Sequence, residues 1–282
     1  MSDIKGKKFE LHNHGHVILL DSMGSDSEIA DVARTAYQKG TKSVSDNRTL
    51  LRHLMRHYHT SPFESCVLKF HIKLPIFTER QFARHRTAGW NEVSARYSEL
   101  PEEYYVPDVE SVRTQSSTNK QGSGDQMPEG VAEQFIADTK IAGKAAFAQY
   151  HKDLENGMAR ELARINLPLG TYTEKVWWIN LHNLLHFLNL RMDGHAQQEI
   201  REFATIIGDE IVSQLFPIVW EAFEDYRLHA MTLTSLDQEV LRTLFKDLVF
   251  DPLVIETALE SISNKRERAE TLVKLNQFLN IR

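Results

Sequence analysis

The feature that most constrains this chain is the run at 65–74, where Cys66, Leu68, Phe70, Ile72 and Leu74 alternate with Val67, Lys69, His71 and Lys73. A sustained period of two, stopped by Pro75, describes a β-strand with one buried face. Such a strand needs a sheet, and the sheet needs a layer to cover its apolar side. Strand-like patterns recur at 9–19 and 171–179, and helical periodicity fills much of the remainder. The expected fold class is α+β: an antiparallel sheet from these three strands, packed by long helices.

The first strand puts Phe9, Leu11, Val17 and Leu19 on one face and His12, His14 and His16 on the other. No carboxylate or cysteine falls at a matching position, so no metal is expected there. Helices are expected at 28–39, ending at Gly40, and at 47–59, where Arg48, Arg52 and Arg56 recur at i, i+4, i+8. A short helix at 76–86 would align Phe77, Gln81, Arg84 and His85. The polar segment 113–128 lacks periodicity and reads as a loop. A long helix follows from Glu129, with Phe135, Ala142, Ala146, Tyr150 and Leu154 on its stripe. Two more are expected at 180–192 and 195–216, the second broken by Pro217. The tail shows helix starts at Ser235 with Gln238, at Asp251-Pro252, and at Asn264 with Glu267. Leu241, Leu244 and Leu248, then Leu272, Leu275 and Leu279, form its apolar stripes.

Composition excludes more than it identifies. The 282 residues are 41% hydrophobic and 26% charged, ordinary globular usage. No apolar run is long enough to span a membrane, and the start lacks the apolar core of a signal peptide. A single cysteine excludes an internal disulfide, and its place on the apolar face of the strand marks it as structural. A cytoplasmic protein is expected. The net charge of −6 disfavours polyanion partners, but the distribution is uneven. Residues 48–97 hold nine basic and three acidic residues, a net +6, so the remainder carries −12. That window reads as a focused anion site.

The densest polar stretch is RHRTAGWNEVSARY at 84–97. Arg84 and Arg86 flank His85, and guanidinium forks match phosphate geometry. Asn91 and Glu92 suit a base edge or ribose hydroxyls. Arg96 stands four residues from Glu92, where a plain helix-surface ion pair is the bland alternative. A phosphate-bearing ligand follows from these residues. No Walker loop and no GxGxxG occurs.

Arg84-His85-Arg86, seven residues, then Ser94 resembles the RHR-x7-S signature of flavin-dependent thymidylate synthases. The similarity extends through NEVSARY, HTSPFE at 59–64, PIFTERQFARHR at 75–86, ARINLPLGTYT at 163–173 and FLNLRMDGHAQQEI at 187–200. Matching segments run from about 18 to 228. Residues 1–230 are thus expected to form the catalytic domain, and 231–282 a helical extension of unassigned role.

The resemblance implies methylation of dUMP to dTMP, with methylene-tetrahydrofolate as carbon donor, FAD as redox cofactor and NADPH as reductant, without a cysteine nucleophile. It implies a homotetramer with sites between subunits. It assigns FAD contacts to Ser61, Glu64, Arg84, His85, Arg86, Asn91, Glu92, Asn180, His182, His186 and His195. It assigns dUMP contacts to Gln81, Arg84, Glu92, Ser94, Ala95, Arg96, Arg164 and Arg191. Arg191 would stabilise an ionised uracil, and His59 would lie near the folate. Three positions depart from the family pattern: Gly89 replaces serine, Ala36 a hydroxyl residue, and His182 an arginine. These departures keep open a homologue that binds flavin or nucleotide without synthase activity. A nucleic-acid-binding module is the weaker alternative.

Overall fold

The computed structural model describes residues 4–36, 46–118, 120–277 and, as backbone only, 280–281. The chain divides into two compact units, Met1–Leu228 and His229–Arg282. The first runs through β1 (Lys8–Leu11), β2 (Gly15–Met23), α1 (Asp26–Arg34), α2 (Asn47–Arg56), β3 (Val67–Pro75), α3 (Ile76–Phe82) and β4 (Gly89–Glu92). A hairpin of β5 (Arg113–Gln115) and β6 (Ser123–Gln126) leads to α4 (Glu129–Glu155) and α5 (Arg160–Ala163). Then come β7 (Tyr172–Asn180), α6 (Leu181–Arg191), α7 (Gln198–Thr205), α8 (Ser213–Leu215) and α9 (Pro217–Phe223). The main sheet has the order β1-β2-β3-β7-β4, and every neighbouring pair is antiparallel.

The alternation of β3 does what its period requires. Leu68, Phe70, Ile72 and Leu74 are fully buried, while Lys69 on the other face is exposed. Phe70 pairs across to Trp177, and Phe82 of α3 and Phe187 of α6 close over that ring at 5.5 and 5.3 Å. Burial of each such side chain stabilises the fold by roughly 1.5–3 kcal/mol. Cys66 is buried just before the strand, and burial pushes its thiol above the ordinary value.

Several expectations need correction. The strand at 9–19 is a hairpin, turning at His12, whose φ is 57°. The apolar side chains keep a common face because Phe9 is paired with Val17, but the three histidines separate. His12 bonds Glu202 at 2.7 Å, His14 lies 3.8 Å from Glu103, and His16 contacts His71 at 3.2 Å. The helix at 76–86 ends at Phe82, leaving the three basic-motif residues in a turn. The segment 113–128 holds a β-hairpin, organised by polar contacts that leave no hydrophobic period: Thr114 donates to the Asp125 carbonyl, and Gln115 to those of Lys120 and Gly122.

On α4 the buried side is Ala132, Gly143, Phe147 and Tyr150, so Phe135 and Ala142 face outward. Gly143 sets this face, since a Cβ there would lie 2.4 Å from the Tyr104 ring. The helix expected at 195–216 starts at Gln198 and contains a π-helical segment, Ile206–Val212. It breaks at Phe216, before Pro217. Helix α1 is described to Arg34, and Tyr37 and Gly40 lie outside the described residues.

The second unit contains α10 (Ser235–Phe245), α11 (Pro252–Leu259) and α12 (Lys265–Leu275), with a short parallel pair β8 (Val249–Phe250) and β9 (Asn280–Ile281). Its first capping box is one residue earlier than expected, Thr234 with Asp237. Asp251 and Asn264 cap their helices. Leu244 and Leu248 are exposed rather than internal, and Leu279 lies outside the described residues. Among the described residues no helix is long and apolar enough to cross a membrane.

The turn after β2 depends on Gly24, whose φ is +100° and whose added Cβ would sit 2.2 Å from the Cys66 sulfur. Gly24→Ala is expected to lower unfolding free energy by about 2 kcal/mol or more, from backbone strain and the sulfur clash together. Urea denaturation of the two proteins measures this.

Candidate active site

The register of β7 builds the site. Both β3 and β4 run antiparallel to β7, so their first residues lie beside its last ones: Val67 opposite Asn180, and Gly89 opposite Trp178. Three segments far apart in sequence therefore meet at one end of the sheet. The turn Ser61–Ser65 precedes β3, the Arg84-His85-Arg86 turn precedes β4, and α6 follows β7. The Leu181 amide donates to the Cys66 carbonyl at 2.9 Å and ties the first to the third. Asn180 caps α6, its side chain accepting from the Asn183 amide.

Of the residues expected here, Ser61, Glu64, Arg84, Arg86 and His186 are exposed, and His182 is half-buried in the first turn of α6. His59 is exposed, with its ring stacked 5.9 Å from His53. His195 is exposed on the loop before α7, held by Asp193 at 2.8 Å. A cluster of side chains sits behind this end. Arg191, at the close of α6, donates Nε–H to His85 Nε2 at 3.0 Å and a terminal N–H to Gln81 Oε1 at 3.4 Å. His85 is buried edge-on against Phe187 at 4.8 Å. Burial, then the adjacent Arg191 charge, pushes its pKa from 6.5 down to about 4. A neutral ring that accepts at Nε2 carries its proton on Nδ1. Arg191 is thus fixed by two neutral partners and, among the described residues, has no carboxylate paired with it.

A second set lies along β4 and the turn after it. Thr173 Oγ donates to Glu92 Oε1 at 2.7 Å. Ser94 Oγ accepts from the Arg96 amide at 3.3 Å, and Ala95 is buried. Arg96 pairs with Glu161 at 3.1 Å, so the alternative of a Glu92–Arg96 helix-surface ion pair is not realised, because 89–92 is strand rather than helix. Among the described residues, no hydrogen bond or ion pair links this set to Gln81, His85 and Arg191.

The basic window is less focused than its net charge implied. Arg48 and Arg52 bond Glu221 at 2.6 Å, Arg52 also reaches Asp225, and the Tyr226 hydroxyl accepts from Arg52 and Arg56. These arginines fasten α2 to the helices around Glu221. Lys73 is held by Glu103 and Glu174. Among the described residues, the side chains of Lys69, Arg80, Arg84 and Arg86 in this window, and of Arg164 outside it, make no hydrogen bond or ion pair and are available to an anion.

Three features escaped the sequence reading. Lys175 projects inward between Thr173 and Trp177 and pairs with Glu79 of α3, both buried. Burial pushes each toward its neutral form and their mutual attraction opposes this. Its signal was a lysine in register with inward-facing residues of β7. Gln197 accepts from the Gln81 amide. The third is Trp178. A Cβ on Gly89 would lie 2.4 Å from its indole, which accounts for glycine where the family pattern has serine.

The family model described as "Thymidylate synthase complementing protein" matches residues 18–218. The flavin-dependent thymidylate synthase of Wolbachia pipientis wMel is 47% identical over 234 residues, covering 83% of this chain and 82% of that protein. That of Rickettsia prowazekii (strain Madrid E) is 47% identical over 277 residues, covering 93% of this chain and 91% of that protein. Coverage of 93% must include most of the unit after Leu228, so the tail is shared with that relative rather than lying beyond it. Among solved structures, the UMP/dUMP methylase PolB from Streptomyces cacaoi bound with 5-Br dUMP aligns with a TM-score of 0.70 at 33% identity, over 78% of this chain and 99% of that one.

His85 and His16 both have folded-state pKa values pushed down to about 4 from 6.5. Above pH 6.5 both are neutral in either state and cost nothing. As pH falls from 6.5 to about 4 the unfolded chain takes up protons that the folded chain refuses, so stability is lost through that window. The acid-induced fall in melting temperature is expected to shrink in His16→Gln, measured by calorimetry across the same pH range.

Proposed function

The chain belongs to the flavin-dependent thymidylate synthase family, and on that premise we propose that it methylates dUMP to dTMP in the cytoplasm, using methylene-tetrahydrofolate, NADPH and FAD. The observation that carries the reading is Arg191, a guanidinium held by neutral His85 and Gln81 with, among the described residues, no carboxylate to neutralise it. A fixed cation of this kind stabilises an anion at low reorganisation cost. Facing uracil, it favours the ionised ring and raises the electron density at the carbon to be methylated.

The donor set fits a flavin dinucleotide. Arg84 and Arg86 offer unpaired forks to a diphosphate, and the α6 N-terminus with Asn180 and His182 offers a second electropositive edge. Ser61, Glu64, Asn91, His186 and His195 complete the proposed FAD contacts. FAD supplies hydride chemistry that no side chain can. On the nucleotide side, Arg96 and Arg164 suit the phosphate, while Glu92, Ser94, Ala95 and Gln81 bound the ring and sugar. Glu92 is oriented for this by Thr173. His59, exposed beside the Ser61 turn, is proposed to line the folate approach.

Cys66 is unsuited to attack the uracil ring. It is buried, and burial raises its thiol pKa, so the reactive thiolate is disfavoured. The two unlinked sets, Gln81–His85–Arg191 and Glu92–Ser94–Arg96, support a homotetramer in which each site is completed across a subunit boundary. The outward Val131, Phe135 and Ile141 of α4 offer apolar surface for such an assembly.

The purified protein is expected to be yellow and to form dTMP from dUMP. Arg191→Ala is expected to lower kcat by about 10²- to 10³-fold with the far-ultraviolet dichroism unchanged. Arg191→Lys should recover part of that loss, because it keeps the charge without the two-pronged hold. A colourless protein that neither binds FAD nor converts dUMP contradicts the proposal.

A further inference from the structure

One side chain at the assembled end of the sheet has no role in the reading above. Alternation along β7 sends Trp177 into the core and Trp178 to the outer face, where it remains 42% exposed. Its cross-strand partners are Lys69 on β3 and Gly89 on β4. An added Cβ on Gly89 would lie 2.4–2.6 Å from Cε2, Nε1 and Cζ2 of the indole. The indole therefore lies across the Gly89 backbone, in the space that a side chain there would fill. Among the described residues, no hydrogen bond, ion pair or ring contact engages it.

Its location matters as much as its exposure. Gly89 stands three residues after Arg86, and Trp178 two residues before Asn180. Trp178 thus sits at the end of the sheet where the turn bearing Arg84 and Arg86 and the N-terminus of α6 also lie. An aromatic surface left open at the same end of the sheet as two unpaired arginine side chains matches a ligand that joins a diphosphate to a planar ring. Trp90, next on β4, shares the register of core-facing Trp177 and is turned to the opposite face. It is not placed to serve the same ligand surface.

We propose that Trp178 is a stacking platform for a planar heteroaromatic ring of the bound flavin dinucleotide, and that Gly89 is the residue that makes room for it. The proposal rests on the flavin reading above. It gives the glycine a function: the departure at that position leaves the space in which the indole lies.

The test is titration of flavin-stripped protein with FAD, followed by quenching of flavin fluorescence. Trp178→Ala is expected to weaken FAD about ten-fold, and Trp178→Phe to bind within about three-fold of wild type. Gly89→Ala, which must displace the indole, weakens FAD in the wild-type background and adds nothing in the Trp178→Ala background. Thermal unfolding of each variant checks that the fold is intact. The proposal is overturned if Trp178→Ala binds FAD within about two-fold of wild type, since stacking is worth more than that. It is equally overturned if Gly89→Ala has the same effect in both backgrounds. A changed oligomeric mass for Trp178→Ala with unaltered FAD affinity assigns the indole to a subunit contact, and also overturns it. Wild-type protein that binds no FAD refutes the flavin reading itself, whereas equal affinities in wild type and Trp178→Ala refute the stacking role alone.

Discussion

The pairing of β7 with β3 on one side and β4 on the other is the constraint from which the rest follows. Nine residues of β7 are matched to nine of β3, and four to β4. A slip of one residue would turn Trp177 and Lys175 outward and carry Asn180 away from Val67. The core face specifies the register, since Phe70, Trp177, Phe82 and Phe187 interlock only in one alignment. Packing and site geometry are therefore one decision. The aromatic contacts that stabilise the sheet also deliver three polar segments to its end.

Electrostatics divides the arginines into two groups. Arg48 and Arg52 of α2 are neutralised by Glu221 and Asp225 and hold helices together. Arg84, Arg86, Arg164 and Arg191 have no acidic partner among the described residues. Leaving cations unpaired sacrifices local stabilisation, which is characteristic of surfaces that receive an anion. His85 reinforces this arrangement. Burial keeps it neutral, so it holds Arg191 in place without adding a competing charge.

Much of this was legible in the sequence, for identifiable reasons. The strand around Phe70 was readable because period two survives in it, and the strand ending at Asn180 because β-branched and aromatic residues crowd 171–179. Helix α6 was readable in extent, expected over 180–192 and found over Leu181–Arg191. What stayed hidden depended on partners distant in the chain. The hairpin at His12 reads as one strand because pairing keeps Phe9 and Val17 on one face. β4 is too short for a pattern. The Arg48–Arg52–Arg56 stripe looked like an anion site because its acidic partners lie some 170 residues away. The residues of the signature motif were found as a group, but their division into two sets is a property of the fold. Gly89 looked like a defect until Trp178 was seen to occupy its side-chain space.

The central claim is that this site works through fixed cations and bound cofactor, with no protein thiol on the nucleotide. The most direct test is tritium release from dUMP labelled at the uracil C5 position, measured anaerobically with FAD, NADPH and methylene-tetrahydrofolate on the Cys66→Ala enzyme. The account predicts release at a rate close to wild type, since Cys66 only fills space behind β3. A folded Cys66→Ala protein that binds FAD but releases no tritium would contradict it.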